Sequence, residues 1–261
     1  MKVEDLANPV ITIITIVRNN PPGLIQTLQS ISQQEYRNWE SIIVVGTSED
    51  LTLSFATKIA SSDKRIKVLE QVGLGIYSAM NQGISYARGT HVCFMNAGDE
   101  FASHGILSKA AKEIANVNYG VIMAGHSVIH ADRIQEFKSS RKIISDIEFA
   151  FNRRSGCHQS MFFRRQTLLD VGGFDTKYTL ASDFDLMLKV LRKDGGLRVS
   201  EIYSRISPGG VADVGILIVH QEKHQIRIQH FNKAAVKILS FGWTVAAGLK
   251  VQLSRLLKLI R

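Results

Sequence analysis

Residues 10–17 read VITIITIV, an unbroken apolar and β-branched run of the kind that forms a strand buried on both faces of a sheet. The segment Asn19-Asn20-Pro21-Pro22 follows it and predicts a turn and the start of a helix. Further apolar runs, separated by helix-like segments, predict strands at residues 41–45, 66–69, 91–95 and 121–124. Strand–helix units repeated in this way predict an α/β fold with a mostly parallel central sheet and helices on both faces.

The second half of the chain has a different pattern. We predict a hairpin or meander at residues 126–137, a mobile loop at 138–152, strands at 160–163 and 197–203, and helices at 165–171 and 183–191. Ligands of open α/β sheets bind at the carboxyl ends of the strands. The functional site is therefore expected where the early strands end, with the second half of the chain contributing its other side.

The composition is that of a globular protein with an anionic partner. The 261-residue chain is 45% hydrophobic and 21% charged, with a formal net charge of +9. We divide it into a domain at 1–230, with halves at 1–125 and 126–230, and a tail at 231–261. A phosphorylated small molecule, a lipid surface or a nucleic acid would suit this charge. We expect no nucleic acid, because the charge gathers in the tail beside aliphatic side chains.

The tail combines lysines and arginines with apolar residues, among them Phe241 and Trp243, and has no acidic residue. This pattern predicts a basic amphipathic helix that lies in a membrane interface. A helix that packs on the domain with its lysines in solvent is the alternative. Cys93 and Cys157 form no zinc or disulfide pattern, and the start of the chain lacks a signal-peptide core. We therefore expect a cytoplasmic protein, peripheral on the inner face of the plasma membrane.

The first candidate site lies in residues 91–100, which read HVCFMNAGDE. A buried strand runs directly into Asn96-Ala97-Gly98-Asp99, and the small residues let a ligand approach the backbone. Asp99, at the carboxyl end of this strand, is placed to bind Mg²⁺ or Mn²⁺ together with phosphate oxygens. The alternative is that Asp99 caps the helix or turn that follows.

Two further segments carry candidate polar groups. Asp183 and Asp185 follow Ser182 at a predicted helix start, where the helix dipole favours an ionised carboxylate that could take a proton from a hydroxyl. The alternative for this pair is helix capping. His158-Gln159 opens a strand of the second half and could meet an acceptor or a phosphate. A structural pair with satisfied hydrogen bonds is the alternative there.

Taken in order, these segments resemble the family 2 glycosyltransferases with a GT-A fold, the Rossmann-like fold of nucleotide-diphospho-sugar transferases. The resemblance is closest to bacterial enzymes that build exopolysaccharide or O-antigen. It extends from Ile11 to about Gly210 and rests on Arg18-Asn19, residues 75–84, residues 87–99, His158-Gln159, residues 172–175, residues 181–185 and Pro208-Gly209-Gly210.

The resemblance implies an inverting, metal-dependent hexosyltransferase (EC 2.4) of cell-surface polysaccharide biosynthesis. Such an enzyme moves a sugar from a nucleotide-diphosphate sugar to a saccharide or lipid-linked saccharide acceptor. The family's base falls on Asp183, and its ligand to Mn²⁺ or Mg²⁺ falls on Asp99. Donor contacts are implied at Val17, Arg18, Asn19, Asp50, Asn81, Asn96, Ala97 and Gly98, and acceptor contacts at His158, Gln159 and Ser182.

This chain differs from the family that it resembles at the positions expected to contact the nucleoside. Related enzymes carry acids after the second strand and near positions 73 and 78, where this chain has Val45-Gly46, Gly73 and Ser78. Either a nucleotide other than uridine is used, or backbone groups and Asp50 replace these acids. A non-catalytic GT-A-fold protein that has lost donor recognition is the alternative function. A hydride-transferring dehydrogenase is disfavoured, because the glycine-rich string at residues 73–78 matches only half of a dinucleotide fingerprint.

Overall fold

The computed structural model describes residues 9–138, 140–151, 156–208 and 215–231. The strands are β1 (Ile11–Val17), β2 (Trp39–Val45), β3 (Ile66–Glu70), β4 (His91–Phe94), β5 (Glu100–Phe101), β6 (Val121–Ile129), β7 (Ile134–Phe137), β8 (Lys142–Ile144), β9 (Met161–Arg164) and β10 (Gly196–Ile206). The helices are α1 (Pro21–Ser32), α2 (Thr52–Ser62), α3 (Ile76–Tyr86), α4 (Ile106–Asn116), α5 (Asp146–Phe151), α6 (Arg165–Asp170), α7 (Ser182–Asp194) and α8 (Ile216–Phe231). A short 3₁₀ helix spans His158–Ser160.

Within the described residues the strands form one sheet in the order β3-β2-β1-β4-β9-β6-β10-β5, with β7 paired to β6 and β8 paired to β10. Strands β1 to β4 pair in parallel. Strand β9 is antiparallel to both β4 and β6, while β10 runs parallel to β6. The prediction of an α/β fold with a central sheet flanked by helices is confirmed. The sheet is mixed instead of mostly parallel, because β5, β7, β8 and β9 pair antiparallel with their neighbours. The antiparallel strand β9 inserts the 158–164 segment beside β4, and this brings the second half of the chain to the candidate site.

Two hydrophobic layers hold the helices on the sheet. Ile14, Ile42 and Phe94 belong to a cluster that includes α3 and α7, while Ile13, Ile43 and Cys93 belong to a cluster that includes α1 and α4. Neighbouring residues of the same strand thus point into opposite layers, as a sheet covered on both faces requires. Cys93 is fully buried and serves as a small apolar side chain of the second layer.

The predicted mobile loop at residues 138–152 is wrong for most of its length. Strand β8 pairs antiparallel with the start of β10, and α5 packs the Phe149 ring against Phe184 at a centroid distance of 5.5 Å. The segment is polar because its charged residues lie on the outside, while Ile144, Phe149 and Ala150 are buried. Of the two alternatives predicted for residues 126–137, the structure has the hairpin, in which β6 pairs antiparallel with β7.

Helix α8 is not signalled by the sequence pattern. Its apolar residues cluster in the first turn, where Ile216 and Ile218 are exposed, instead of recurring along one face. The helix packs on α7, and Arg227 Nε donates a 2.7 Å hydrogen bond to the carbonyl oxygen of Ala150. The predicted basic tail lies outside the described residues beyond Phe231, as do Gly209 and Gly210. Among the helices that the structure does describe, none has the length and apolar content needed to cross a bilayer.

Candidate active site

The loop after β4 forms a tight turn that fixes Asp99. Gly98 has a φ of 104°, a conformation that favours glycine, and its N–H donates 3.0 Å hydrogen bonds to Thr27 Oγ1 and to the carbonyl oxygen of Gly23. Asp99 N–H donates to the carbonyl oxygen of Asn96 at 3.0 Å. Thr27 Oγ1 in turn donates to the carbonyl oxygen of Asp99 at 2.7 Å. Helix α1 therefore holds the backbone of this loop at the carboxyl end of the strand.

The Asp99 side chain is buried and faces the second half of the chain. Oδ2 accepts a 2.8 Å hydrogen bond from Gln159 Nε2, and Oδ1 accepts one of 3.1 Å from the Ser207 N–H. Burial raises the pKa of Asp99 above its ordinary value, although these two bonds and the nearby His158 act in the opposite direction. The carboxylate does not cap a helix, because α4 begins only at Ile106.

Asp183 lies in the first turn of α7, with its side chain 35% exposed. Oδ1 accepts a 2.8 Å hydrogen bond from the Phe184 N–H, and Oδ2 lies 3.5 Å from His158 Nδ1. Burial opposes ionisation, but His158 and the ammonium of Lys223 outweigh it and hold the pKa of Asp183 below its usual value. A partly exposed carboxylate that stays ionised and faces a cavity can accept a proton from a bound hydroxyl.

The neighbouring polar residues of α7 have other surroundings. The Asp185 side chain is fully buried between His230, at 2.7 Å, and Lys189, at 2.6 Å, so it joins α7 to α8 away from the cavity. The Ser182 hydroxyl, predicted to contact the acceptor, is buried and has no hydrogen-bond partner within the described residues. Ser182 is the first residue of α7, and its contact with the acceptor stays a prediction.

Adjacent residues of one short helix connect the two carboxylates. His158 lies beside Asp183 through Nδ1 and beside Asn96 Nδ2, at 3.5 Å, through Nε2. The next residue, Gln159, holds Asp99. Gln159 is itself oriented by the Cys157 thiol, which donates to Gln159 Oε1. The structure thus brings Asn96, Asp99 and Asp183 together around His158 and Gln159.

The predicted donor contacts at the ends of β1 and β2 form a second, neighbouring group. Val17 is buried and closes β1, where its carbonyl oxygen accepts from the Gly46 N–H at 2.8 Å. Arg18 is exposed, and its Nε donates to the carbonyl oxygen of Thr47 at 3.1 Å. Asn19 has a φ of 48° and accepts from the Glu49 N–H at 3.0 Å. These residues join the loops after the two strands.

Two other predicted donor residues are committed to local structure. Asp50 Oδ1 accepts from both the N–H and the hydroxyl of Thr52 and so supports the start of α2. Asn81 Nδ2 donates to the carbonyl oxygen of Phe174 and its Oδ1 accepts from the Phe174 N–H, both at 2.8 Å. We therefore assign Asn81 to the turn that precedes α7, because both ends of its amide are already paired there.

The donor set around Asp99 fits a divalent cation that receives most of its ligands from phosphate. Asn96 Oδ1 is a buried oxygen without a hydrogen-bond partner among the described residues, and it lies three residues before Asp99. Carboxylate and amide oxygens suit Mg²⁺ and Mn²⁺. The part of the chain that the structure covers contains no cluster of three or more His, Cys, Asp or Glu side chains arranged to hold a metal. Asp99 would therefore share the cation with a diphosphate, as Mg²⁺ commonly requires.

Helix α8 brings two residues to the site that the sequence pattern did not reveal. The Glu222 carboxylate accepts hydrogen bonds from the N–H groups of Thr179, Leu180 and Ala181 at 2.6, 2.9 and 2.8 Å. Lys223 lines a small cavity of about 30 Å³ together with His158 and Asp183. Glu222 is the only acid from residue 214 to the end of the chain, and an isolated acid in a basic segment was the available signal.

The fold is that of the GT-A glycosyltransferases, enzymes that transfer a sugar from a nucleotide sugar. The chain belongs to the glycosyl transferase family 2, whose pattern matches residues 12–173. The resemblance on which the sequence prediction rested is therefore confirmed.

The individual relatives have low sequence identity to this chain. A PGL/p-HBAD biosynthesis glycosyltransferase of Mycobacterium bovis is 27% identical over 185 residues, which is 70% of each chain. The S. aureus TarS structure superposes with a TM-score of 0.70 and 18% identity over 90% of this chain, but this covers 42% of TarS. A mannosyltransferase from Pyrobaculum calidifontis, solved with GDP-Man and Mn²⁺, gives a TM-score of 0.67 and 16% identity, covering 97% of this chain and 81% of the other.

Proposed function

We propose that this enzyme transfers a hexose, with inversion, from a nucleotide-diphosphate sugar to a hydroxyl of a saccharide or lipid-linked saccharide. We further propose that the reaction needs Mn²⁺ or Mg²⁺ and serves cell-surface polysaccharide biosynthesis. The observation that carries the proposal is the His158-Gln159 pair, which places the Asp183 carboxylate and the Asp99 carboxylate on one site. Inversion requires the base and the leaving group to lie on opposite sides of the sugar. Asp183 would serve the side of the attacking hydroxyl, and Asp99 would serve the side of the departing diphosphate.

On the donor side, Asp99 and the Asn96 amide oxygen would hold the cation. A divalent ion bound there would neutralise the charge that develops on the departing diphosphate. The turn at Ala97-Gly98 exposes backbone close to this position, because a side-chain carbon added at Gly98 would meet no atom within 4 Å. Gln159 orients Asp99 through its 2.8 Å hydrogen bond. Support for a cation comes from the manganese bound in the mannosyltransferase relative.

On the acceptor side, Asp183 Oδ2 would accept the proton of the attacking hydroxyl. Oδ1 is held by the Phe184 N–H, so the carboxylate keeps a fixed orientation at the start of α7. His158 would orient Asp183 and contact the acceptor, and Gln159 would stand between the two substrates. The lowered pKa of Asp183 keeps it ionised, and thus able to act as a base, at neutral pH.

A non-catalytic binding protein is the second candidate, and the neutral nucleoside region favours it. The Ser78 hydroxyl donates to the carbonyl oxygen of Val72, and a side-chain carbon at Gly73 would lie 2.8 Å from Ser78 Oγ. A side chain at position 73 would also be strained by the backbone φ of 88°. Recognition of the base must then use backbone groups, Arg18 or Asp50.

A donor panel separates the two candidates. The purified chain is mixed with Mn²⁺ and UDP-, dTDP-, GDP- or ADP-hexoses, and the release of nucleoside diphosphate is measured. Release from one donor, with the product anomer inverted by NMR, supports the proposal. No release from any donor, together with no calorimetric binding of any nucleoside diphosphate in the presence of Mn²⁺, would favour the non-catalytic protein.

We also propose that the enzyme acts in the cytoplasm as a peripheral protein on the inner face of the plasma membrane, attached by its basic tail. The absence of acids among residues 231–261 supports this. Flotation with anionic liposomes compares the full chain with a chain that ends at residue 230. The full chain should float and the shortened one should not, and equal flotation would reject attachment by the tail.

A further inference from the structure

Lys223 places a positive charge beside Asp183 and His158, on the acceptor side of the site. Its side chain lines the cavity that also contains His158 and Asp183, and its Nζ lies 5.1 Å from the centre of the Phe184 ring. Within the part of the chain that the structure describes, the ammonium forms no ion pair and no hydrogen bond. A cation that lines a cavity without such a bond attracts a further anion besides the nearby Asp183.

The nearest acid on the same helix is not available to Lys223. Both oxygens of Glu222 accept hydrogen bonds from the loop before α7. Arg227, four residues further along α8, carries the same charge as Lys223. Burial and Arg227 both lower the pKa of Lys223, and Asp183 is the acid that acts against them. Asp183 is the acidic side chain that lines the cavity together with Lys223.

The position of this charge relative to the two carboxylates assigns it to the acceptor. Lys223 lines the same cavity as Asp183 and His158, and Asp99 is not among the residues that line that cavity. Lys223 therefore lies on the Asp183 side of His158, away from the cation that Asp99 would share with the donor diphosphate. An anion at Lys223 would belong to the molecule whose hydroxyl Asp183 deprotonates.

The outer end of the same helix is apolar. Ile216, Leu217 and Ile218 are 44%, 37% and 48% exposed. They precede Lys223 by five to seven residues, a distance of about 10 Å along a helix. Helix α8 thus presents an apolar end, then a cation, then the cavity of the base. This order matches a molecule with a lipid tail, a phosphate and a sugar.

We propose that Lys223 forms an anion subsite and that the acceptor carries a phosphate group there, beside the hydroxyl that Asp183 deprotonates. The inference rests on the proposed function and narrows its acceptor to phosphate-bearing carriers. A lysine ammonium suits phosphate as a compact point charge. The phosphate can belong to a soluble sugar phosphate or to a lipid phosphate, and the two share this chemistry.

Binding of defined probes tests the subsite. Glucose 1-phosphate is compared with glucose by calorimetry, and neutral phosphatidylcholine vesicles with and without dodecyl phosphate are compared by flotation. The variants are Lys223→Ala and Lys223→Arg, with Lys58→Ala, an exposed lysine of α2, as the matched control. The wild type and the control should bind glucose 1-phosphate and not glucose. Lys223→Ala should lose about tenfold or more in affinity, and Lys223→Arg should keep most of it.

The vesicle measurement identifies the source of the phosphate. Dodecyl phosphate that increases flotation of the wild type but not of Lys223→Ala supports a lipid carrier. Binding of glucose 1-phosphate without any effect of dodecyl phosphate supports a soluble one. Equal binding of both probes by the wild type and Lys223→Ala would overturn the subsite.

Two further readouts distinguish an anion subsite from a different role of Lys223. Should Lys223 be only a counter-ion of Asp183, its removal would shift the acid limb of the pH–rate profile of donor hydrolysis and leave probe binding unchanged, which would refute the subsite. A loss of nucleoside diphosphate affinity in Lys223→Ala would place the lysine on the donor side and also refute it. The wild type could also bind Mn²⁺ with nucleoside diphosphate and fail to bind either phosphate probe. That result would refute the anion subsite and leave the proposed function unaffected.

Discussion

Gln159 Nε2 donates a 2.8 Å hydrogen bond to Asp99 Oδ2, and this bond crosses from the second half of the chain to the loop after β4. The residue before Gln159 faces the other carboxylate of the site, since His158 Nδ1 lies 3.5 Å from Asp183. The orientation of the metal ligand and of the base therefore depends on one short helix. This dependence leads to predictions about metal binding, pH and the residues that hold α7.

Gln159→Ala should weaken Mn²⁺ binding measured in the presence of nucleoside diphosphate by about tenfold, the lower end of the loss typical for a residue that orients a metal ligand. Asp99 would keep only the 3.1 Å bond from the Ser207 N–H. Calorimetric titration with Mn²⁺ measures the change. Gln166→Ala, in an exposed glutamine of α6, is the control and should leave the affinity unchanged. Equal affinities for Gln159→Ala and wild type would show that Asp99 does not need this partner.

The two carboxylates should titrate in a defined order. The pKa of Asp99 is raised and that of Asp183 is lowered, so Asp99 takes up a proton first as the pH falls. Protons compete with a metal for its ligand, so Mn²⁺-dependent nucleotide binding should weaken at a higher pH than that at which the base is lost. In Gln159→Ala the midpoint of this binding should move to still higher pH, because a bond that lowers the pKa of Asp99 is gone. An unchanged midpoint would contradict the assignment.

The turn before α7 should tolerate alanine at one glycine and not at its neighbour. Gly172 and Gly173 have φ values of 80° and 66°. A side-chain carbon at Gly172 meets no atom within 4 Å, whereas at Gly173 it lies 2.5 Å from Asn81 Oδ1. Gly172→Ala should cost about 1–2 kcal/mol of unfolding free energy from backbone strain alone. Gly173→Ala should cost more in urea unfolding, and equal costs would mean that the Asn81–Phe174 pair is unimportant.

The sequence predicted the fold well where each strand is buried on both faces. Continuous apolar runs such as residues 10–17 predict strands in the centre of a sheet. Every predicted strand of the first half is present. The site was predicted through Asp99, Asp183 and the His158-Gln159 pair, because each follows a change from an apolar run to small or polar residues. Their roles stay predictions until tested.

Other features depend on contacts that a linear pattern does not contain. The segment at 140–151 is ordered by pairing with β10 and by the stacking of Phe149 on Phe184, so its polarity gave a wrong prediction. Helix α8 has no apolar period, and its place comes from three polar contacts: Glu222 with the loop before α7, Arg227 with α5 and His230 with α7. Asn81 was predicted as a donor contact because the amide itself does not reveal that it pairs with Phe174.

Glu222→Ala should reduce both stability and turnover. Three N–H groups before α7 would lose their acceptor, which we expect to cost about 1–2 kcal/mol, with water replacing part of the loss. The start of α7, and Asp183 with it, would become less fixed, so kcat should fall more than nucleotide affinity. Glu201→Ala, at an exposed acid of β10, is the control for both measurements. A variant with lower stability but unchanged kcat would limit Glu222 to a structural role.

The central claim is that Asp99 and Asp183 have separate duties in one site. Asp99→Asn and Asp183→Asn, with Asp175→Asn as a half-buried control, are compared in two measurements made on the same samples: Mn²⁺-dependent nucleoside diphosphate binding and sugar transfer. We predict that Asp183→Asn binds as the wild type does but transfers about 10²–10⁴-fold more slowly. Asp99→Asn should lose the manganese-dependent part of binding. Normal transfer by Asp183→Asn, or undiminished manganese-dependent binding by Asp99→Asn, would contradict the account.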